Sequence, residues 1–228
     1  MQNRQLGNNF AIPQETNVSR IGRKVMLTGD IEESSIHELM KLLFEIENED
    51  DEFYGQEKVN TAFEGFAETL TNKEKDLNKL SKVIDKYQSD SAYDREPIEL
   101  YISSFGGSGY DVISVIDQIE NLKAPVHTYL YGKAMSAGFL LFMVGCQRFI
   151  SRNSTLMLHQ LSGVCAGTYQ DMKEQLEEYE RMQQRVEDLI MLHTHVEEEL
   201  LEAIRESKYN LYLDAEEAIE MGVADQII

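Results

Sequence analysis

The sequence predicts an α/β domain, because short strand patterns alternate with helical patterns along most of its length. Residues 98–102 read Ile-Glu-Leu-Tyr-Ile, and apolar positions at helical spacing follow them in residues 112–119. Residues 126–130 form a second strand pattern, and residues 137–145 are almost entirely apolar, as expected of a short buried helix. Strands joined by helices in this order favour a sheet that the helices cover.

The N-terminal part of the chain predicts a flexible arm, residues 1–20, followed by a single domain, residues 21–228. Within that domain, residues 34–44 have the apolar spacing of a helix that packs on a core, and an acidic run at 45–52 breaks this spacing. Residues 51–96 are rich in Lys, Asp, Asn and Glu, and leucines recur there near helical spacing. We therefore predict a helical insertion at about 51–96.

The C-terminal part predicts two short strands, at 148–150 and 156–158, and then one long amphipathic helix over 170–206. A last helix is expected to begin at Asp214, because Asp214 and Glu217 have the spacing of a capping box.

The overall charge excludes some classes of partner. The 228 residues include 41 Asp and Glu against 21 Lys and Arg, a formal charge of −20, which disfavours nucleic acid and anionic membranes. Cys146 and Cys165 have no metal-ligand spacing and indicate a reducing compartment. The first residues are polar, with no apolar leader, so a cytoplasmic protein is expected.

Ser136 is a candidate nucleophile. It lies in the segment Gly-Lys-Ala-Met-Ser-Ala-Gly, between a strand pattern and an apolar helix pattern. There its hydroxyl would lie at the positive end of a helix, beside backbone N–H groups without intrahelical partners. A serine that merely caps the helix also explains this segment, since Ser is a common helix N-cap.

Two further elements could contribute chemistry. The turn at 104–109, Ser-Phe-Gly-Gly-Ser-Gly, could direct amides toward an anion or a peptide carbonyl, or could be no more than a tight turn. His159 ends an apolar strand pattern, where it could be a general base or a buried core histidine. His193 and His195 diverge on a helix and cannot share a metal, and no metal, P-loop or dinucleotide motif is found.

Taken in order, these elements resemble the proteolytic subunit of the Clp protease family. The resemblance is carried by SSFGGSG after a strand, then GKAMSAGFLLFMVG, LMLHQ and LDAEEAIEMGVAD, and it covers residues 21–50 and 97–228. It implies the ClpP/crotonase-like spiral of repeated β-β-α units, with a protruding long handle helix beside the helical insertion.

The resemblance also implies roles for individual residues. Ser136 corresponds to the nucleophile and His159 to the base, while Gly107 and Ala137 correspond to the residues whose amides form the oxyanion hole. The stretch 161–169 corresponds to the segment that pairs with an extended substrate at a strand edge and leads into the handle helix. The expected substrate-binding residues are Gly106, Ser108, Leu161, Ser162 and Gly163.

The third catalytic position departs from the family pattern, because Asn210 stands where the family has Asp. An Asn carbonyl can orient the histidine ring but cannot supply the charge that stabilises an imidazolium. The triad could work in weakened form, Asp214 could substitute, or the subunit could be degenerate. We expect a working Ser-His-Asn arrangement, since Asp214 is better explained as a helix N-cap.

The resemblance implies a serine endopeptidase of stacked heptameric rings, which cleaves unfolded polypeptides without a cofactor and receives them from an AAA+ unfoldase. Phe105 replaces a Pro, and Glu99 replaces an aromatic residue on the unfoldase-docking surface, so docking is expected to differ. A catalytically inactive structural or regulatory subunit and a phage maturation peptidase remain alternatives. An acyl-CoA enzyme of the crotonase fold is a third, disfavoured by the Ser136 and His159 pair.

Overall fold

The computed structural model describes the backbone of residues 17–71 and 95–228, and the side chains of residues 17–55 and 95–228. Residues 1–16 of the predicted arm and residues 72–94 of the predicted insertion lie outside the described ranges. The last residues assigned to the arm differ from the expectation. Residues 18–20 belong to strand β1, since a turn at Gly22 (φ 59°) folds them back antiparallel onto the next strand.

A mixed sheet of eight described strands forms the centre of the molecule, so the predicted α/β class is confirmed. The strands run in the order β1-β2-β3-β4-β5-β8, and β6 pairs with both β4 and β7. Pairing is parallel except between β1 and β2 and between β6 and β7. The strands are β1 Val18–Ile21, β2 Lys24–Ile31, β3 Ile98–Gly107, β4 Val126–Met135, β5 Gln147–Ile150, β6 Thr155–Leu158, β7 Leu211–Leu213 and β8 Gln226–Ile227.

Helices connect and cover these strands. They are α1 Glu33–Thr71, α2 Gly109–Asn121, α3 Ala137–Met143, α4 Tyr169–His193, α5 Glu198–Ser207 and α6 Ala215–Glu220. Helix α1 continues through the acidic run at 45–52, and Ile46 within that run is still part of the core. In the part of the chain that the structure describes, no helix is both long and apolar enough to cross a bilayer.

The single helix predicted over 170–206 is wrong, because the structure has two helices there, α4 and α5. The break is at Thr194, whose backbone is extended (φ −136°, ψ 178°). Its hydroxyl donates to the carbonyl of Ile190 at 2.6 Å, and the next amide, of His195, donates to the carbonyl of Met221 at 2.9 Å. Contacts with the C-terminal segment thus redirect the chain where the sequence pattern continues.

The core lies between the sheet and the helices and fixes the position of α3. All seven residues of α3 are buried, including Phe139 and Phe142, which have no exposed surface. A helix that is apolar on every side needs this location, since each face must be removed from water. The N-terminal end of α3 is therefore held firmly against the sheet.

Strand β4 brings the ends of several strands together. Its first half pairs with β5 from His127 to Leu130, and its second half pairs with β6 from Lys133 to Met135. Because β3, β4 and β6 are parallel, their carboxyl ends lie at one edge of the sheet. The turn predicted at 104–109 is wrong in part, because residues 104–107 continue β3 and only Ser108 separates them from α2. Ser136 directly follows β4, and His159 directly follows β6.

Candidate active site

Ser136 lies between β4 and α3 in a strained backbone conformation, with φ 52° and ψ −121°. Its amide donates to the carbonyl of Met157 at 2.8 Å, which ties the residue to the end of β6. The hydroxyl makes no capping hydrogen bond to α3, so the helix-capping explanation of this serine does not hold. A positive φ costs a non-glycine residue about 1–2 kcal/mol, and such strain is most common at functional sites.

Two glycines allow the chain to approach Ser136 closely. Gly106 has φ 102°, and a Cβ atom there would lie 2.6 Å from the carbonyl oxygen of Met135 and 2.8 Å from Cβ of Ser136. Gly138, on α3, has a similar relation to β3, where a Cβ atom would lie 3.3 Å from Cβ of Ser104. Small residues around the serine are therefore required by packing.

The glycine-rich end of β3 pairs with the end of β2, where Gly106 is opposite Asp30 and Gly107 is opposite Ile31. At Gly107, which has φ 154°, a Cβ atom would lie 1.9 Å from the carbonyl oxygen of Ile31. The amide of Ser108 donates to the same carbonyl at 2.8 Å, and the Ser108 hydroxyl caps α2 at Asp111. The buried Ser104 hydroxyl accepts from the Gly106 amide at 3.0 Å. Ser104 is a supporting residue that the sequence did not single out.

A pocket of about 240 Å³ opens beside Ser136. Most of the predicted site residues line it, namely Gly107, Ser108, Ser136, Ala137, His159, Leu161 and Ser162. Several apolar and aromatic residues of the pocket wall were not predicted from the sequence, chiefly Tyr110, Leu140, Leu158, Tyr179, Met182 and Val186. Helical periodicity marks Val186 as core-facing, but no sequence signal connects α4 with this pocket.

Ser136 and His159 line the same pocket, each half-buried. His159 follows β6 directly, and the Ser136 amide is bonded to that strand, so the two residues stand on neighbouring strand ends. Within the described residues no hydrogen bond joins the Ser136 hydroxyl to the His159 ring. Ala137 is the first residue of α3, and an amide at that position has no intrahelical partner.

Asn210 is exposed and does not line the pocket. It precedes β7, and the last pair that joins β6 to β7 is Leu158 with Leu211. One further step along this antiparallel register places Asn210 across from His159. Asp214 is engaged elsewhere, since its carboxylate accepts from the Glu217 amide at 2.9 Å in a complete capping box. Its predicted role as helix N-cap is confirmed.

Residues 161–168 differ from the expected strand edge, because they form no strand in this structure. Instead they fold against α4. A Cβ atom on Gly163 would lie 2.1 Å from the Tyr179 hydroxyl oxygen, and Ala166 exchanges two hydrogen bonds with the Gln175 side chain. Gly163 lines a second opening of about 560 Å³, which shares Leu161 and Tyr179 with the pocket beside Ser136. Side-chain partners on α4 replace the pairing that a strand would make.

At the rim of the pocket, Tyr110 donates its hydroxyl hydrogen bond to Glu178 on α4 at 3.1 Å. Partial burial and this carboxylate raise the pKa of the Tyr110 hydroxyl. Arg181, which also pairs with Glu178 at 2.6 Å, lowers the pKa of that carboxyl. The first turn of α2 and helix α4 are thus bridged at the rim of the pocket.

Glu99, which stands where the family has an aromatic residue, lies on a different surface of the sheet, beside a stack of aromatic rings. Rings of Tyr101, Tyr129 and Phe149 stack across three strands with centroids 4.7 Å apart. Glu99 accepts from the Tyr101 hydroxyl at 2.5 Å and pairs with Lys24 at 2.9 Å. The Tyr101 bond is the main cause that lowers the pKa of Glu99. A charged pair therefore stands beside the aromatic stack.

Titratable groups elsewhere do not form a metal site in the described residues, where no three His, Cys, Asp or Glu side chains are placed to hold an ion. His193 instead bonds Glu120 at 3.0 Å. Both cysteines are free thiols.

The fold and the pocket define an α/β protein in which a serine and a histidine line one pocket at the carboxyl ends of parallel strands. The family model for Clp protease matches residues 69–228, and the chain belongs to that family. The match takes in residues 97–228 of the resemblance, but not residues 21–50.

Curated relatives have the same family name. The ATP-dependent Clp protease proteolytic subunit of Deinococcus radiodurans is 33% identical over 141 residues, which cover 61% of this chain and 68% of that protein. Proteolytic subunit 1 of Rhodopirellula baltica is 31% identical over 136 residues, 59% of each chain. Proteolytic subunit 1 of Salinibacter ruber is 33% identical over 135 residues, 58% of this chain and 57% of that protein. The matches thus span less than two thirds of the latter two relatives.

Proposed function

We propose that this chain is a serine endopeptidase subunit in which Ser136 is the nucleophile and His159 the general base. One observation carries the proposal: the strained Ser136 has an uncapped hydroxyl in a pocket that His159 also lines. Strain and an unused hydroxyl have no structural benefit that a glycine would not supply better. Membership in the Clp protease family supports the same reaction class.

The proposed reaction proceeds through an acyl-enzyme. Ser136 Oγ attacks the carbonyl carbon of a peptide bond while His159 takes the hydroxyl proton. The C–N bond then breaks, and His159 returns the proton to the leaving amine. Water then attacks the ester carbonyl and gives a proton to His159. The ester C–O bond breaks, the new carboxyl product leaves, and His159 returns the proton to Ser136 Oγ.

The amides of Gly107 and Ala137 are proposed to hold the oxyanion. Both residues line the pocket beside Ser136. Gly107 is the last residue of β3, and Ala137 is the first residue of α3. Backbone donors that are fixed before the reaction stabilise the tetrahedral intermediate without reorganisation. A side chain at Gly107 would displace Ile31, so the close approach of these two backbones fixes the position of the Gly107 amide.

Asn210 is proposed to orient His159 by accepting a hydrogen bond from Nδ1–H. The register of β6 and β7 supports this role, although the pair is not hydrogen-bonded in the isolated chain. If the two strand ends move slightly closer, Asn210 and His159 come within hydrogen-bond distance and the Ser-His-Asn arrangement forms. We attribute this movement to contacts between subunits.

Peptides with an apolar side chain at the cleaved bond are the proposed substrates, because Leu140, Leu158 and Met182 line the pocket. Main-chain contacts with an extended peptide are assigned to residues 106–108 and 161–163, where Leu161 offers its carbonyl because its amide is bonded to Gln183. The family implies stacked rings and an unfoldase partner. Tyr169, 79% exposed, Met172 and Leu176 form an apolar face on α4 that supports contact with other subunits.

Covalent labelling tests the proposal. Purified full-length chain is treated with a fluorophosphonate probe and assayed with fluorogenic peptides, alongside Ser136→Ala and, as a matched control, Ser114→Ala. Ser114 lies on α2, where its hydroxyl bonds the Asp111 carbonyl. Labelling and hydrolysis that vanish only in Ser136→Ala are expected. An assembled wild-type protein that neither reacts nor hydrolyses would instead identify an inactive structural subunit.

A further inference from the structure

A buried carboxylate on α4 lies at the centre of a hydrogen-bond chain that reaches the segment after His159. Glu187 is only 5% exposed, and Arg205 from α5 donates to both of its carboxylate oxygens at 3.0 and 2.7 Å. The Gln183 side-chain amide donates to the same carboxylate at 2.8 Å. A desolvated carboxylate needs such partners, because its charge would otherwise be costly to bury.

The carboxylate fixes the orientation of the Gln183 amide. The Glu187 oxygens accept hydrogen bonds from Arg205, and Gln183 directs its NH₂ group toward the same carboxylate. The Gln183 carbonyl oxygen is then directed away from Glu187, and it accepts from the backbone amide of Leu161 at 2.8 Å. Donation therefore converges on Glu187 from both sides, because Arg205 donates to it directly and Leu161 donates to Gln183, which in turn donates to Glu187.

Leu161 is two residues beyond His159, and both residues line the pocket. Met182 and Val186, which flank Gln183 on α4, also line that pocket. Gln183 thus joins the wall to the short irregular segment on which the histidine stands. No strand pairing holds this segment, since β6 ends at Leu158.

We infer that Gln183 is a positioning residue for His159, and that Glu187 and Arg205 keep its amide in the required orientation. This inference rests on the proposed function and adds a support for the base that the catalytic residues themselves do not supply. An error of about 1 Å in the position of a catalytic group can lower turnover by two orders of magnitude. A flexible segment after His159 would therefore lower kcat more than it would weaken substrate binding.

The test compares Gln183→Ala with Gln184→Ala. The control is closely matched, because Gln184 also bonds an acid one turn later, Asp188, at 2.9 Å, but among the described residues it makes no hydrogen bond to residues 159–163. Gln183→Ala is expected to lower kcat and the rate of fluorophosphonate labelling by about fivefold to tenfold, as expected for one lost hydrogen bond, with KM changed less than twofold. Gln184→Ala should match the wild type in all three.

A charge exchange separates positioning from general destabilisation. Gln183→Glu alone places a second carboxylate beside Glu187 and should lower kcat further. Combining it with Glu187→Gln restores one donor and one acceptor in the same places, and kcat should recover to at least about half the wild-type value. Unchanged kcat in Gln183→Ala, an equal loss in Gln184→Ala, or no recovery in the exchanged pair would each overturn the inference.

Amide hydrogen exchange keeps the inference separate from the proposed function. The Leu161 amide should exchange faster in Gln183→Ala than in the wild type or in Gln184→Ala. If the wild type has no Ser136-dependent activity, the proposed function fails while this exchange result still decides whether Gln183 holds the segment. If the wild type is active and exchange at Leu161 is unchanged, only the positioning role is refuted.

Discussion

Leu158 and Leu211 form the last registered pair of strands β6 and β7, and the next residue on each strand is His159 and Asn210. Residues opposite each other in an antiparallel pair have Cα atoms about 4.5–5.5 Å apart, which is within reach of a side-chain hydrogen bond. The proposed pairing of Asn210 with His159 thus rests on strand register, not on a contact already made.

Asn210→Asp is expected to raise kcat or leave it unchanged, because a carboxylate in this register would both orient the His159 ring and stabilise its charged form. Asn210→Ala should lower kcat by about tenfold or more, since the ring then lacks its partner. Peptide hydrolysis measured at neutral pH checks both. Asn153→Asp, in the exposed turn before β6, is a control for added charge. A large drop in Asn210→Asp alone would contradict the proposed role.

The strain at Ser136 makes a separate prediction about stability. Ser136→Gly and Ser136→Ala both remove the hydroxyl, but only Gly adopts φ 52° without cost. Ser136→Gly should therefore be more stable than Ser136→Ala by about 1 kcal/mol in urea unfolding, while both are inactive. Lys208→Gly is the matched control, since Lys208 has φ 51° at the end of α5 and should gain similarly. Equal stability of the two Ser136 variants would mean that the serine is not strained.

Close packing at Gly106 predicts a larger cost than its backbone conformation alone. Gly106→Ala must accommodate both φ 102° and a Cβ atom 2.6 Å from a backbone oxygen, so a loss of about 3 kcal/mol or more is expected, together with lost labelling of Ser136. Gly22→Ala has a positive φ but no atom within 4 Å, and should cost only about 1 kcal/mol. Similar losses in the two variants would show that packing against Ser136 contributes nothing.

The location of the site could be predicted from sequence because it depends on local patterns. A strand pattern, small residues and an apolar run predict a buried helix that begins at a strand end, and α3 with Ser136 has this form. His159 was identified for the same reason, as the residue that ends a short apolar strand. Gly106 and Gly107 were predicted to form a turn, whereas the structure places them at the end of β3, where close backbone approach leaves no room for a side chain.

Other features could not be predicted because they depend on partners distant in sequence. The acidic run does not end α1, since Asp50 is buried against Arg23, and Asp51 pairs with Arg95 and Lys123. The break at Thr194 depends on the C-terminal segment near Met221. The hydrogen bond from the Leu161 amide to Gln183 likewise has no signal in the local pattern, because either residue alone is unremarkable on the surface of a helix or loop.

The pairing of Arg148 with Asp225 predicts a pH-dependent contribution to stability. Arg148 bonds both carboxylate oxygens of Asp225, at 2.9 and 2.6 Å, and also the carbonyls of His193 and Gly222, so it connects β5 to the C-terminal strand. Partial burial works to raise the pKa of Asp225, but the Arg148 hydrogen bonds outweigh it, and the pKa lies below its usual value. A depressed pKa means that the stabilisation is complete above the ordinary Asp pKa and is lost as the pH falls through the folded-state value.

Asp225→Asn should therefore lower the free energy of unfolding by about 1 kcal/mol at pH 7, a modest value because the carboxylate is partly exposed. The difference from the wild type should shrink as the pH falls below about 4, where the wild-type carboxylate becomes protonated. Urea unfolding at a series of pH values checks this. Asp117→Asn, on the exposed face of α2, should show neither the loss nor its pH dependence. A difference for Asp225→Asn that stays constant down to pH 3 would mean that charge on Asp225 does not stabilise the C-terminal strand.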